Sequence, residues 1–574
     1  MQTRNITLSR AIRTALTGGL LLTGLTSTAF ADNSLVFNPG DLVVTSSQYD
    51  GTANAIVPGT TNLAGANATS TVKAIGDSSF ANVFNNNTVD GSFGVTSPIF
   101  ISNVNPSNGN IDSTVNLTQI AANQGINLVT SFSSKSELAI NPSTNGGSYT
   151  LNGYGTTIGQ LDISNSNTPG VTDPTNPTLS INTPATYRDV AQINTDGTLT
   201  VTNTNAYSGN NGRATILNND NGNYLMVGNA GNSGKPAPSN TVLSTLSDNT
   251  GVQSIAVGSN NGTLTANDPS ANSTVIGAVQ GTTGSATGYQ HGFSVTETNP
   301  LTNAAYGPAD KTGKDDNFRG ETVFNNTLYV TKGSGGNGID TVYQVGATGG
   351  VDSLNANSPI TVLPGLPAIL ASATGVNHFP FGIWFANANT LYVADEGAGG
   401  TIDTIGTKTG VGGATGAAAT DTNAGLEKWV LEADGQWHNV YTMQAGLNLG
   451  ISYTVSGTTQ LTNETGSWTA ATDGLRALTG HVNADGTVTL YATTSTISDA
   501  GDQGADPNKL VAITDTVGAL ALGTQQFTTL QTAQYGQVLR GVAIAAPVPL
   551  PPSMLMMLGG LGLTGLMARR NKRA

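Results

Sequence analysis

The sequence predicts an all-β chain closed into a single β-propeller, and three observations predict it. Short apolar clusters are bounded by turn residues, with Asp-Gly or Asn-Gly pairs at 50–51, 90–91, 196–197, 221–222, 434–435 and 485–486. Units of strand, polar turn and tyrosine-bearing strand recur at irregular spacing, carrying Tyr149, Tyr224, Tyr329, Tyr392 and Tyr491. Each end of the body also carries a strand that lacks a partner nearby, and a ring would join the two. Irregularly spaced four-strand units that bury their faces against each other describe a propeller.

The hairpins are the first element to justify. AQINTDGTLTVTNT (191–204) and HVNADGTVTLYATT (481–494) read strand, Asp-Gly turn, strand. The glycine supplies positive φ, so a tight type I′ turn is expected in each. Innermost strands are expected to start near Glu137, Arg213, Arg319, Phe381, Arg476 and Arg540, which gives six blades. The long interval before Arg319 leaves seven as the alternative. Residues 539–545 read as a first strand with no successor, and 40–47 as a second strand with no predecessor. Pairing them would complete one blade from both termini. The stretches 50–130 and 230–310 are rich in Asn, Thr, Ser and Gly and read as long surface loops. Helix signals are nearly absent, since no long stretch places apolar residues at helical spacing. A β-helix or adhesin-like stack is the competing fold, but it needs a steady repeat of about 20 residues that the sequence lacks.

Both ends carry targeting chemistry. Arg4, Arg10 and Arg13 precede the apolar stretch from Ala15 to Leu25. Ala29 and Ala31 then stand where a signal peptidase reads, so residues 1–31 are expected to be a cleaved leader. At the other end a Pro-rich joint (Pro547, Pro549, Pro551, Pro552) leads into an apolar run from Met554 to Ala568, and Arg569, Arg570, Lys572 and Arg573 follow. Fifteen residues make a helix of about 22 Å, short for a comfortable transmembrane span. The terminal cations would stay on the cytoplasmic side. The expected layout is leader 1–31, propeller body 32–546 and tail 547–574.

This tail resembles the PEP-CTERM sorting signal of Gram-negative bacteria, with Val548, Pro549, Leu550 and Pro551 as the motif and Arg569 and Arg570 in its basic end. The family name implies Glu where Leu550 stands; Val-Pro-Leu-Pro is a familiar variant. The resemblance implies an exosortase as processing partner, transient inner-membrane anchoring, and delivery to the envelope or extracellular matrix. It also implies a role in exopolysaccharide or biofilm. The body is similar to the propeller-type ectodomains of that family, whose final blade strand reads like Arg540-Gly541-Val542-Ala543 before the anchor.

Composition narrows the partners. The chain has no cysteine, so it has no disulfide framework, thiolate nucleophile or Cys-ligated metal. It carries 21 Lys and Arg against 35 acids; without the seven cations of its two ends the net charge is −21. Such a body repels nucleic acid and anionic lipid and leaves Ca²⁺ as the plausible small partner. No hydrolase, metalloprotease or phosphate-loop motif occurs.

Three features stand above background. Arg213, Arg319, Arg476 and Arg540 each begin an innermost strand and would ring one mouth of the channel, with Glu321 beside them. Such a ring suits an anion or a sugar; the alternative is that the arginines strut blade to blade. Asp395 and Glu396 end a strand, where they would hold Ca²⁺ or form a solvated turn. Residues 310–317 (DKTGKDDN) have irregular acid spacing and read as an exposed loop. His291, His378, His438 and His481 lie far apart and read as surface or strand-edge residues. Among the tryptophans, Trp384 reads as core and Trp437 as the exposed candidate for sugar stacking.

The leading expectation is a non-enzymatic surface protein that binds exopolysaccharide or another surface ligand. The runner-up is a Ca²⁺-dependent propeller hydrolase of lactonase, phytase-like or esterase kind, using Glu137, Glu321, Asp395 and His481. A third reading is a structural surface component. Three carboxylates converging on the axis would favour the enzyme; a channel of Arg, Thr and apolar residues would favour binding.

Overall fold

The computed structural model describes residues 35–50, 94–169, 185–230, 251–258, 317–333, 339–368, 378–398 and 421–546, with gaps of a few residues, plus short strands within 62–73, 274–276 and 407–418. The leader with Ala29 and Ala31, the tail with Val548, Pro549, Leu550, Pro551, Arg569 and Arg570, residues 310–316 and His291 lie outside the described residues. Among the described residues no helix is long and apolar enough to cross a membrane.

The architecture is a six-bladed β-propeller. Blade 1 is ordered Gln537–Ile544, Leu42–Gln48, Ile99–Val104 and Ile111–Asn116. Blade 2 runs Asn141–Pro142, Ser148–Tyr154, Arg188–Asn194 and Leu199–Thr204. Blade 3 runs Gly212–Asn218, Asn223–Gly228, Gly251–Ala256 and Thr274–Ile276. Blade 4 is Glu321–Phe324, Thr327–Lys332, Thr341–Val345 and Ile360–Val362, and blade 5 is Pro380–Asn387, Thr390–Asp395, Gly425–Leu431 and Trp437–Met443. Blade 6 takes the second half of Thr465–Val482 with Thr487–Ile497, Lys509–Thr516 and Thr528–Thr532; the first half pairs with Ser452–Thr458.

The termini close the ring. Leu42 pairs with Ile544, Val43 with Ala543 and Val44 with Val542, antiparallel. Neither strand could satisfy its backbone groups alone, and closure removes two exposed sheet edges.

The blades cohere through six apolar seams, fed by opposite faces of each second strand. Leu42 and Val44 pack toward blade 6, whereas Val43 packs toward blade 2. Tyr224 and Met226 face blade 2, while Leu225 and Val227 face blade 4. Leu391 and Val393 face blade 4, and Tyr392 faces blade 6. A strand buried on both faces needs apolar residues at consecutive positions, which is why YLMV, LYV and TLYVA read as unbroken runs. Blades 3 and 4 share one such core, so no seventh blade stands between them.

Two expectations are corrected. The Asp-Gly hairpins are not type I′: only Gly197 and Gly486 have positive φ there, +85° and +84°. Gly197 N–H donates to Asn194 O, Asn194 N–H to Thr198 O, and the Asp196 carboxylate accepts from the Thr198 amide. That is a type I turn followed by a left-handed glycine. Positive φ at both central positions, the type I′ signature, occurs at Asn325 and Asn326 instead, between paired Phe324 and Thr327. The stretch 50–130 is not all loop either, since it holds the outer half of blade 1 and a helix, Leu117–Asn123. Asn116 caps that helix by accepting from Gln119 N–H at 2.9 Å. Leu117, Ile120 and Ala121 fill the seam between blades 1 and 2.

Candidate functional site

The innermost strands surround a central cavity of about 300 Å³. Three glycines set how closely these strands approach. A Cβ on Gly541 would stand 2.4 Å from Ile140 N, one on Gly320 2.2 Å from Phe381 O, and one on Gly382 2.4 Å from Arg476 O. At each of these positions a side chain would force neighbouring blades apart. Arg319-Gly320 and Arg540-Gly541 therefore pair a reaching side chain with a close backbone contact.

Arg213, Arg319, Arg476 and Arg540 lie on or just before inner strands; Arg476 and Arg540 line the cavity, Arg213 and Arg319 do not, and each has donors bonded within the protein. Arg540 donates to Phe132 O and, at 2.8 Å, to Gly504 O. Arg213 donates to Asn211 Oδ1 at 3.0 Å, to Phe318 O at 2.8 Å and to Asn317. Arg319 reaches Ser136 across the channel mouth, and Arg476 Nε holds Glu396 Oε2 at 3.0 Å. Lys135, a quarter exposed, approaches Glu396 Oε1 at 3.4 Å. Burial alone would raise the Glu396 pKa, but Lys135, Arg476 and Arg319 hold it down to about 2. Glu137 accepts from Thr130 at 2.6 Å, from Ser131 N–H at 3.0 Å and from Tyr154. At the mouth, then, both acids are held by several donors of the protein itself.

The wall below it is different. Ala139, Ile140, Phe324, Phe381, Trp384, Leu478 and Ile544 line it, with Thr322, Thr479 and Asn141 as polar side chains. Glu321 also lines it, 5% exposed, and neither carboxyl oxygen has a hydrogen-bond partner among the described residues. Burial pushes its pKa well above the usual carboxylate range, favouring the neutral acid.

Asp395 and Glu396 diverge: Glu396 joins the mouth network, while Asp395 turns into the seam between blades 4 and 5. There one ligand atom each from His378, Asp395 and Glu427 lie within 4.8 Å of one another. His378 Nε2 stands 3.0 Å from Glu427 Oε2, which also accepts from Trp429 Nε1 at 2.8 Å. Asp395 accepts from the amides of Phe379, 2.6 Å, and Gly397, 2.7 Å. Burial opposes a charge on His378, yet Glu427 and Asp395 raise its pKa to about 9. Burial together with the Glu427 charge raises that of Asp395. The raised pKa of His378 favours an imidazolium paired with Glu427 beside the buried Asp395. Its donor set of one imidazole and two carboxylates suits a zinc-like ion better than Ca²⁺, which prefers all-oxygen sites. The neighbouring ion pair of Lys332 and Asp340, at 2.6 Å, is fully enclosed.

Other expectations shift. His378 is not at the surface but buried, and it was missed together with Glu427. The available signal was GLEKWVL (425–431): two opposite charges inside a strand buried on both faces, Glu427 toward blade 4 and Lys428 toward blade 6. Trp437 is buried against Phe385 rather than exposed, while Trp384, partly buried, packs against the core between blades 5 and 6 as expected and also borders the channel. Glu137, Glu321, Asp395 and His481 do not converge. Glu137 and Glu321 line the cavity, Asp395 is in the seam, and His481 lies exposed against the Tyr491 ring.

No protein-family model matches the chain, and no curated protein matches it in sequence. Solved structures are similar at the level of a distant outline. The polysaccharide lyase Uly1 aligns at 11% identity and TM-score 0.30, over 68% of this chain and 71% of that one. The hemagglutinin-neuraminidase ectodomain of parainfluenza virus 5 aligns at 11% identity and TM-score 0.24, over 76% and 74%. At these scores they add nothing to the fold already described, and what the chain binds must be argued from its own residues.

Proposed function

We propose that this chain is an exported surface protein that binds its ligand in the central channel without transforming it. The carrying observation is the contrast within that channel. The acids at its mouth are committed to internal partners, whereas the wall is apolar and aromatic, and its one further acid, Glu321, has both oxygens buried beneath that surface. A hydrolase needs a second acid, a base or a metal beside the first. The ligand we assign is a sugar unit of an exopolysaccharide. That assignment and display at the surface draw on the sorting-tail resemblance, and Trp384, partly buried at the cavity wall, offers an aromatic surface to a sugar ring. A divalent ion is a second reading, favoured by the convergence of His378, Asp395 and Glu427, and zinc rather than calcium is the ion to try.

The test combines export and binding. Deleting residues 548–574 should leave the body folded but release it from the envelope fraction. Purified protein should retain soluble polysaccharide without shortening it. Full retention of the truncated chain in the membrane fraction would defeat the anchoring part, and reproducible chain cleavage would defeat the binding part.

A further inference from the structure

We propose that Lys135 makes the channel mouth a receptor for a carboxylate, carried by a single acidic sugar unit such as a terminal uronic acid. The inference rests on the channel being the sugar site and specifies which sugar it selects.

The first observation is where the cations stand. The chain has 21 Lys and Arg; leaving out the seven at its two ends, the body has 14, and five of those meet at this one mouth. Lys135, Arg476 and Arg540 line the cavity. Arg213 and Arg319 do not line it, but both act on Glu396. The acids of the group are Glu137 and Glu396, with Asp506 farther off in the field of Arg476. Cations therefore exceed acids here, although the body as a whole is strongly acidic. A concave site with apolar walls focuses such an excess on whatever enters it.

Lys135 is the cation an entering group can meet. The arginines are buried, whereas a quarter of the Lys135 side chain is exposed. An ammonium has three donors, and among the described residues Lys135 spends one, at 3.4 Å, on Glu396 Oε1. Glu396 does not depend on it, because Arg476 Nε holds the other oxygen at 3.0 Å and Arg319 adds its charge. A carboxylate at the mouth thus gains a charge-assisted bond without stranding Glu396. Burial lowers the Lys135 pKa to about 8, with Arg476 and Arg319 adding to the fall and Glu396 opposing it. A bound anion raises that pKa again, so anion binding and protonation of Lys135 support each other. The rest of the wall suits the rest of the ligand: Trp384 borders it, and Thr322 and Thr479 offer hydroxyls. The acidic body repels a long polyanion, which favours one charge at a chain end over many along it.

Calorimetric titration of the full-length protein with glucuronate, glucose, cyclohexanecarboxylate and cyclohexanol tests this. Near pH 7, glucuronate should bind at least about tenfold more tightly than glucose, and Lys135→Gln should erase that preference. In the parent the preference should also fall as pH rises from about 8 to about 10, because Lys135 loses its proton; this measurement stands even if the variant does not fold. Cyclohexanecarboxylate bound in preference to cyclohexanol, with neither sugar bound, would keep the Lys135 site and overturn the sugar reading of the channel. Equal binding of glucose and glucuronate, a preference that survives Lys135→Gln, or one that is flat across that pH range would overturn the proposal yet leave the channel reading standing. If no compound binds, both fall.

Discussion

Two acids are almost equally buried and are treated in opposite ways. Asp515, 2% exposed, sits in the seam between blades 5 and 6. It accepts from Tyr392 at 2.6 Å, Tyr441 at 2.8 Å and Gln525 at 2.9 Å, and it faces Lys428 Nζ at 3.0 Å. Glu321, 5% exposed in the channel wall, accepts nothing within the described protein. Lys428 is equally well kept, with further bonds to Thr516 O and Ala519 O. A buried acid with a full set of partners holds blades together. A buried acid without them weakens the fold.

The hardest way to break the seams is to open the ring itself. Removing Leu539–Ala545 takes the inner strand from blade 1 and leaves Leu42–Gln48 as an edge. Cooperative thermal unfolding should disappear, whereas deleting 266–272, which carries no described strand, should shift the midpoint by a few degrees at most. Similar melting of the two deletions would mean that terminal pairing is dispensable. Next in size is Asp515→Ala. It strands the Lys428 ammonium in the seam and should cost about 3–5 kcal/mol in denaturant titration. Adding Lys428→Met should recover much of that loss, because the uncompensated charge is gone; a double variant no better than the single would show that the tyrosine bonds dominate.

The seam between blades 4 and 5 should be sensitive to alkali. His378 has its pKa raised from 6.5 to about 9, so its pairing with Glu427 contributes fully below pH 6.5 and is lost as pH rises through 9. Asp395, with its pKa raised by burial, adds a loss of the same sign as it ionises. Melting temperature should therefore fall between pH 6.5 and 9 by more than in His378→Gln. Parallel profiles for the two proteins would remove the imidazolium from the account. Zinc that raises the midpoint of the parent but not of His378→Gln would instead favour the ion.

The seams were legible in the sequence, while the site was legible only in part, and the reason is physical. Second strands such as Thr390–Asp395 announce themselves, because burial on both faces demands apolar runs that no loop would carry. The pairing of 42–48 with 537–544 could be inferred because each strand lacked a local partner. The arginines could be placed at the inner-strand starts by counting blades. What they touch could not be read, because Arg540 meets Phe132 and Gly504, residues distant in the chain. The same holds for His378 and Glu427, 49 residues apart and joined only once the blade is folded. Trp437 is buried rather than exposed because its strand turns it into the seam between blades 4 and 5, against Phe385. Glu321 was named from its position near the axis, but its isolation is a property of three dimensions.

The smallest effect is also the sharpest test of the comparison. Replacing Glu321 with Met removes two buried oxygens that have no hydrogen-bond partner among the described residues and keeps a side chain of similar length. An unsatisfied buried polar group costs about 1–3 kcal/mol, and part of that should return. We expect Glu321→Met to be more stable than the parent by about 1 kcal/mol, the opposite sign from Asp515→Ala. The pH dependence fixes the cause. The folded pKa of Glu321 lies above its ordinary value of 4.5, so the parent loses stability as pH rises from there and the acid is driven to ionise. The advantage of the Met variant should accordingly be smaller at pH 4 than at pH 7. A destabilised variant, or an advantage that does not change with pH, would mean that Glu321 has partners after all, and the distinction between the seam and the channel wall would fail.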